Sequence, residues 1–375
     1  MNILVTGGAG FIGVHLVRRL LAEGCTVAIL DNFSPQIHGR NQELPQDLGG
    51  HVELYRADVR DQDTVSKALA RRDAVVHLAA ETGTGQSMYK VSHYQDVNLG
   101  GTATIISAVV NKPRLGLTKI LVASSRAIYG EGKYRCQEHG MVYPRGRDLE
   151  RLKAGLYEPV CPACNLECEP EATAEDCPAH PLSFYGLTKR VQEEMVFLFA
   201  EACGLSAYAL RYQNVFGPGQ SLLNPYTGIL AIFSNLARSG SAIQVFEDGK
   251  ESRDFVFVDD AVEATWRCLG SASGAVETFN VGTGQRTTVR EAAEEVLAFY
   301  HNKTPVFITG TFRQGDIRHN FADLTKIAGS MSFAPRFSFR SGLERFLEWA
   351  SARSEVLTGY QSSLREMSER GFLHG

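Results

Sequence analysis

The opening of the chain limits its possible folds more than any other segment. A short apolar run, Asn2–Thr6, leads into TGGAGFIG at residues 6–13, and an amphipathic stretch begins at Phe11. Glycines at 7, 10 and 13 between a strand and a helix permit a tight turn, a close backbone approach and tight helix-to-sheet packing. The N–H groups at such a helix start face outward and suit a pyrophosphate. Asp31 ends the next apolar run, Thr26–Leu30, about 20 residues on, where a carboxylate accepts hydrogen bonds from a ribose diol. A plain glycine-rich turn beside an ordinary surface aspartate is the duller reading, and the preceding strand argues against it. A carboxylate there repels a 2′-phosphate, so the expected dinucleotide is NAD rather than NADP.

The alternation begun there continues. Strands are expected at Asn2–Thr6, Thr26–Leu30, His51–Tyr55, Ala74–Leu78, Lys119–Ala123 and Ser206–Leu210, and helices near Phe11–Glu23, Thr64–Arg71, Tyr94–Val110 and Ser183–Cys203. This is the pattern of an α/β Rossmann-type, doubly wound parallel sheet with right-handed crossovers. It predicts a nucleotide-binding domain over residues 1–212, rejoined by 250–283, and a smaller discontinuous lobe over 213–350 that closes on the substrate. Residues 131–181 are polar and rich in Cys, Pro and Glu, and read as an insertion; 351–375 read as a surface helix or a frayed tail.

With 38 basic and 42 acidic residues the formal charge is -4, which gives no reason to expect nucleic acid or an anionic membrane as partner. No apolar run approaches the roughly 20 residues of a membrane span. Met1 leads straight into the first strand without a basic or signal-length apolar region, so the expected location is cytoplasmic.

Tyr185 and Lys189 stand four apart in YGLTK, on one helix face. A nearby ammonium favours the phenolate of a tyrosine whose reference pKa is about 10, which makes it a base able to take a hydroxyl proton as hydride leaves for the cofactor. Ser124 and Ser125 end the fifth strand at the sheet's carboxyl edge. A Tyr/Lys pair alone is more often a solvated face; the upstream glycine fingerprint and the strand-end serines reverse that balance.

The ordered stretches TGGAGFIG, LDNFS, HLAA, SSRAIYG, SFYGLTK, RYQNVFGPGQ, RDFVFVDD, FNVGTG and GDIRHNFAD resemble the extended short-chain dehydrogenase/reductase family of nucleotide-sugar epimerases and dehydratases over nearly the whole chain. The resemblance implies that Ser125, Tyr185 and Lys189 are catalytic. It implies NAD contacts from Gly7, Gly10, Phe11, Ile12, Gly13, Asp31, Asn32, Ser34, Asp58, Val59, Leu78, Ala79, Ala80, Asn98, Tyr185 and Lys189. For a nucleotide-diphosphate sugar it implies Thr82, Ser87, Ser124, Ser125, Arg126, Asn214, Arg253 and Arg318, arginine being suited to diphosphate. It also implies a homodimer through the Tyr94 and Ser183 helices. Dehydratases of the family carry Asp-Glu, and decarboxylases Glu, after the catalytic hydroxyl; here Arg126 and Ala127 stand there, which disfavours elimination and leaves transient C4 oxidation with return of hydride to the opposite face. AAETGTGQSMY, SSRAIYGEGKYRC and the cysteine-bearing insertion resemble the subgroup of dTDP-L-rhamnose 4-epimerases. Another UDP-hexose epimerase or a dehydratase is the rival reading, and a non-catalytic dinucleotide sensor a remote one, since all three catalytic positions are filled.

Of eight cysteines, Cys25, Cys203 and Cys268 sit singly in apolar surroundings and read as buried hydrophobes. In the insertion, Cys136-x-x-His139, Cys161-x-x-Cys164 and Cys177-x-x-His180 have zinc-knuckle gaps. Cys136, His139, Cys161 and Cys164 make one possible structural zinc set, with Cys177 and His180 as the alternative pair; free thiols are the competing reading, and His180 could instead face the sugar.

Overall fold

A computed structural model describes residues 1–39, 42–111, 116–224, 226, 228–271, 274–354 and 359–375. Strands β1 (Asn2–Thr6), β2 (Thr26–Asp31), β3 (Glu53–Arg56), β4 (Ala74–His77) and β5 (Lys119–Ser125) join Ser206–Tyr212 and Val276–Val281 in a seven-stranded sheet. From one edge the order is Val276–Val281, Ser206–Tyr212, β5, β4, β1, β2, β3, and every pairing is parallel. The chain leaves β1 toward β2 on one side and returns to β4 on the other. Above the carboxyl ends of β1 and β4 the crossovers therefore diverge and open a crevice, where open α/β sheets bind ligands.

Both faces of the sheet are covered. Ile3 and Val5 of β1 pack with Leu16, Val17 and Leu20 of helix Phe11–Ala22, whereas Leu4 turns to the opposite core with Val65, Ile105 and Val196. Each such side chain contributes about 1.5–3 kcal/mol by leaving water, and a one-residue slip of β1 would exchange the two cores.

Three differences from the sequence reading have local causes. β5 runs on through Ser125 because Ser124 and Ser125 pair with Arg211 and Tyr212, which fixes both serines on the rigid strand end. The helix expected over Tyr94–Val110 is a short turn at Val91–Tyr94, a π-helical segment Gln95–Gly100 and an α-helix Gly101–Val110. A Cβ on Gly101 would lie 2.4 Å from Val59 Cγ1, so the glycine lets the helix pass that loop. Third, Val276–Val281 forms the seventh strand and lies within the segment expected to return to the first domain.

Among the described residues the second lobe contains only short pairings, including Asn214–Phe216 with Phe255–Phe257 and Ser252–Arg253 between Thr287–Thr288 and His319–Asn320. The tail does not fray at its end. Helix Tyr360–Glu369 buries Tyr360, Leu364 and Met367, and Leu373–His374 pairs with Phe312–Arg313. Cys25 and Cys268 are buried as expected, but Cys203 is exposed, because it closes helix Phe184–Cys203 just before the left-handed Gly204. Among the described residues no helix is long and apolar enough to cross a membrane.

Candidate active site

One continuous cavity of about 570 Å³ runs from the glycine turn, across the ends of β1, β4 and β5, to the second lobe. Its cofactor end is shaped by missing side chains. A Cβ on Gly7 would sit 2.7 Å from Ala79 N, and one on Gly13 would sit 2.4 Å from Gly7 O. Gly7 also has φ 69°, a backbone region open to glycine. The Asp31 carboxylate is buried at the crevice wall, where it accepts from Ala9 N at 3.0 Å and Phe33 N at 2.8 Å. These bonds hold the carboxylate against the glycine turn, the arrangement a ribose diol beside a pyrophosphate needs, so the residues fit NAD. Asp58 accepts from Asn32 Nδ2 and from the Arg60 guanidinium, which holds its carboxyl down at about 2.

All the expected cofactor residues except Asn98 line this cavity. Asn98 is fully buried behind it: its Oδ1 accepts from Glu81 N at 2.8 Å and its Nδ2 donates to Thr188 Oγ1 at 2.9 Å. It thereby ties the loop after β4 to the first turns of the helix that carries Tyr185 and Lys189.

Ser125 caps a short 3-10 turn, its Oγ accepting from Ala127 N at 3.1 Å. Helix Phe184–Cys203 starts beside it, capped by Ser183, and Gly186 permits the approach, since a Cβ there would lie 2.5 Å from Ala127 O. Tyr185 consequently stands close enough to Ser125 for the serine hydroxyl to act on its phenol. Burial pushes the Tyr185 phenol up, and the Ser125 hydroxyl and the Arg126 charge pull against it. Burial likewise pushes the Lys189 ammonium down to about 7. The Lys189 Nζ donates to Ala123 O at 2.8 Å and stands 5.9 Å from the Tyr185 ring centroid. The cation acting on the phenol is thus Arg126.

At the other end of the cavity, Arg126 Nε donates to Asn214 Oδ1 at 2.7 Å while its second nitrogen is buried without a partner. Burial pushes this guanidinium down to about 9, still protonated at neutral pH. Arg253 donates to Asp316 at 3.3 Å and to the carbonyls of Ser252 and Arg318. Ser124 Oγ and both amide atoms of Gln213 are also buried and unpartnered beside the cavity. Donors and acceptors left unmade in this way are costly until a ligand meets them.

Two expected sugar contacts do not line the cavity. Arg318 is fully buried, its guanidinium taken up by Glu158, Glu247 and Asp248, so no donor remains for a diphosphate. Ser87 is also buried, and its hydroxyl donates to Thr84 O. Thr82 does reach the wall, together with Asn214 and Arg253. The sequence reading did not single out Gln213, Glu251, Asp316, Tyr226 or Tyr360, which also line it. Gln213 and Asp316 fall inside the stretches RYQNVFGPGQ and GDIRHNFAD, so a signal for them existed; Tyr360 comes from the tail and had none.

In the insertion the fold brings Cys136, His139, Cys161 and Cys164 together, with their potential ligand atoms all within 4.8 Å of one another. Cys177 lies elsewhere, against Ile128 and Tyr129, and the His180 carbonyl packs on Gly130, so this pair does not join the cluster.

A family model described as the NAD dependent epimerase/dehydratase family matches residues 3–146 and 160–282. The chain is 38% identical over 350 residues to the dTDP-L-rhamnose 4-epimerase of Burkholderia thailandensis, covering 93% of this chain and 94% of that protein. It superposes on the UDP-glucose 4-epimerase of Thermotoga maritima solved with UDP-glucose at TM-score 0.75 and 28% identity, covering 95% of this chain and 100% of that one. The Thermus thermophilus UDP-glucose 4-epimerase in complex with NAD matches at TM-score 0.74 and 28% identity, over 94% of this chain and 100% of that one. Glycine cradle, buried aspartate and Tyr–Ser pair thus occur in a chain whose length and fold agree with these proteins. The chain belongs to the NAD-dependent epimerase/dehydratase family and is an enzyme of its nucleotide-sugar epimerase type.

Proposed function

We propose that the enzyme inverts C4 of a nucleotide-linked hexose, with dTDP-L-rhamnose as substrate and dTDP-6-deoxy-L-talose as product. The observation that carries this reading is the placement of Ser125, Tyr185 and Lys189 together on the wall where the two ends of the cavity meet, with Arg126 acting on the phenol. The similarity to the Burkholderia thailandensis enzyme supports the choice of sugar.

In this reading NAD supplies a reversible hydride acceptor beside C4. Tyr185 takes the C4 hydroxyl proton while the Ser125 hydroxyl steadies the same oxygen, and on return Tyr185 gives the proton back to the inverted alkoxide. Lys189 and Arg126 favour the phenolate against its burial. Arg126, Asn214 and Arg253, on the second-lobe side, grip the substrate's charged portion while the sugar turns its other face toward the cofactor. Arg126 and Ala127 stand where the dehydratases carry the Asp-Glu pair that draws the proton from C5 and loses water, which favours epimerisation. We propose a homodimer, with the exposed Leu187 and Leu198 on the outer face of helix Phe184–Cys203 as part of the contact.

The test is incubation of the purified protein, without added reductant, with dTDP-L-rhamnose and a panel of UDP-hexoses, followed by NMR and mass spectrometry. A C4-inverted product of unchanged mass, lost in Tyr185→Phe by about 10²–10⁴-fold, is the expected result. Loss of water or carbon dioxide overturns epimerisation, and turnover of UDP-hexoses alone overturns the choice of sugar.

A further inference from the structure

We propose that the insertion is built around a tetrahedral structural Zn²⁺ held by Cys136, His139, Cys161 and Cys164, and that this metal steadies the carboxylates that fix the substrate end of the cleft. The distances are those of a coordination tetrahedron. With Zn–S of about 2.3 Å and Zn–N of about 2.0–2.1 Å, the edges of such a site are about 3.8 Å between sulfurs and about 3.5 Å from sulfur to nitrogen. Cys136 Sγ lies 3.6 Å from Cys164 Sγ and 3.8 Å from His139 Nδ1, and Cys161 Sγ lies 3.7 Å from the same nitrogen.

Backbone geometry agrees independently of the side chains. Cys136 and His139 straddle the turn between the antiparallel strands Tyr134–Cys136 and Gly140–Val142, where Gly140 takes φ 65°. Cys161 and Cys164 sit on a second tight turn, closed by Asn165 N donating to Cys161 O and Cys161 N donating to Leu166 O, with Asn165 at φ 60°. Two such turns facing each other present four ligands to one point.

Around the four ligands the apolar packing is thin. The buried cluster there is Tyr134, Cys136, Cys161 and Cys168, with Val142 and Cys164 packed against it. A core made mostly of thiols cannot supply the apolar burial that orders a polar loop, whereas a closed metal site can. All eight cysteines are free of disulfides, so these thiols are open to a metal. On binding, each of the three thiols gives up its proton and His139 stays neutral, so a site of net charge −1 forms and three protons pass to solvent.

The metal is linked to the cleft through short chain segments. Glu158, three residues before Cys161, accepts from the Arg318 guanidinium and pairs with His319 at 3.0 Å. Glu131, five residues before Cys136, accepts from Arg318 N at 2.8 Å and pairs with Arg147 at 3.2 Å. Arg318 O in turn receives Arg253, which lines the cavity. Loss of the metal loosens Glu158 and Glu131, two of the four carboxylates that hold Arg318, and with them the carbonyl that receives Arg253.

The protein purified without chelator is to be analysed for metal by plasma mass spectrometry, and apo protein is to be titrated with Co²⁺ alone. Expected are one zinc per chain, intense thiolate-to-cobalt charge transfer with tetrahedral d–d bands, and loss of both in Cys161→Ser, with Cys177→Ser unchanged. Should Cys161→Ser fail to fold, release of zinc from the native enzyme by a mercurial, monitored with a colorimetric chelator, gives the same answer. Zinc removal should lower the melting temperature and raise KM for the sugar nucleotide more than it alters bound NAD. Protein that is metal-free as isolated and binds Co²⁺ only octahedrally overturns the site. Full zinc that can be withdrawn without change in melting temperature or KM overturns its role.

Discussion

Gly13→Ala adds one methyl group at the tightest point of the cofactor cradle. Its Cβ would stand 2.4 Å from Gly7 O, 2.6 Å from Gly8 Cα and 2.8 Å from Gly8 C, all of them backbone atoms. Comfortable separations are about 3.5–4.0 Å between carbons, so the glycine turn must retreat by roughly 1 Å. Such overpacking costs about 1–3 kcal/mol, and a displacement of that size at a positioning element lowers turnover by about 10²-fold. Gly329→Ala is the matched control: it lies within helix Thr325–Met331 with no atom within 4 Å of its Cβ. There the same methyl should stabilise by about 0.5–1 kcal/mol through the helix preference of alanine. Calorimetric melting, together with the NAD content of freshly purified protein, separates the two. A Gly13→Ala protein that melts with the wild type and retains its NAD would refute the claim that missing side chains shape this end of the cleft.

Arg126→Ala removes the free guanidinium nitrogen at the substrate end and should raise KM for the sugar nucleotide about 10–100-fold, the worth of a hydrogen bond to a charged group, with bound NAD unchanged; equal losses in both would count against a substrate role. Burial raises the Glu251 carboxyl to about 8, against an ordinary value of 4.5. Between those values the folded state keeps a proton that the unfolded chain has released, so stability present below the unfolded value declines as pH rises toward 8 and levels off above it. Glu251→Gln should therefore flatten the fall in melting temperature between about pH 6 and about 8, and an unchanged slope would refute the assignment.

The nucleotide-binding half was legible because its signals are local. Six strands and their crossovers announced themselves as runs separated by turn residues, and the glycine fingerprint, Asp31, Tyr185 and Lys189 stood at spacings that only a strand–helix junction or one helix face makes useful. Where pairing is non-local the reading fell short. VETFNV alternates too little to declare a strand, and it becomes one because Ser206–Tyr212 offers a free edge. Arg318 looked like a diphosphate ligand since an arginine in GDIRHN carries no sign of the three carboxylates, drawn from 158, 247 and 248, that surround it. Spacing alone also left open which two of the three Cys/His pairs combine, and only tertiary structure put Cys177 against Ile128 and Tyr129, away from the other thiols.

The closing of the chain onto its own beginning has a bearing on biosynthesis. Tyr89 and Tyr226 both donate to Glu366, at 3.1 and 2.8 Å, and Tyr360 from the same terminal helix walls the cleft. A ribosome that has released residues up to Tyr212 has delivered six of the seven strands and the whole glycine cradle, yet the sheet still shows a bare edge awaiting Val276–Val281. The nascent protein is thus able to engage its cofactor well before it can enclose a sugar. Translation truncated between Tyr212 and Tyr360 leaves a chain with its cofactor cradle but a substrate chamber that lacks a wall.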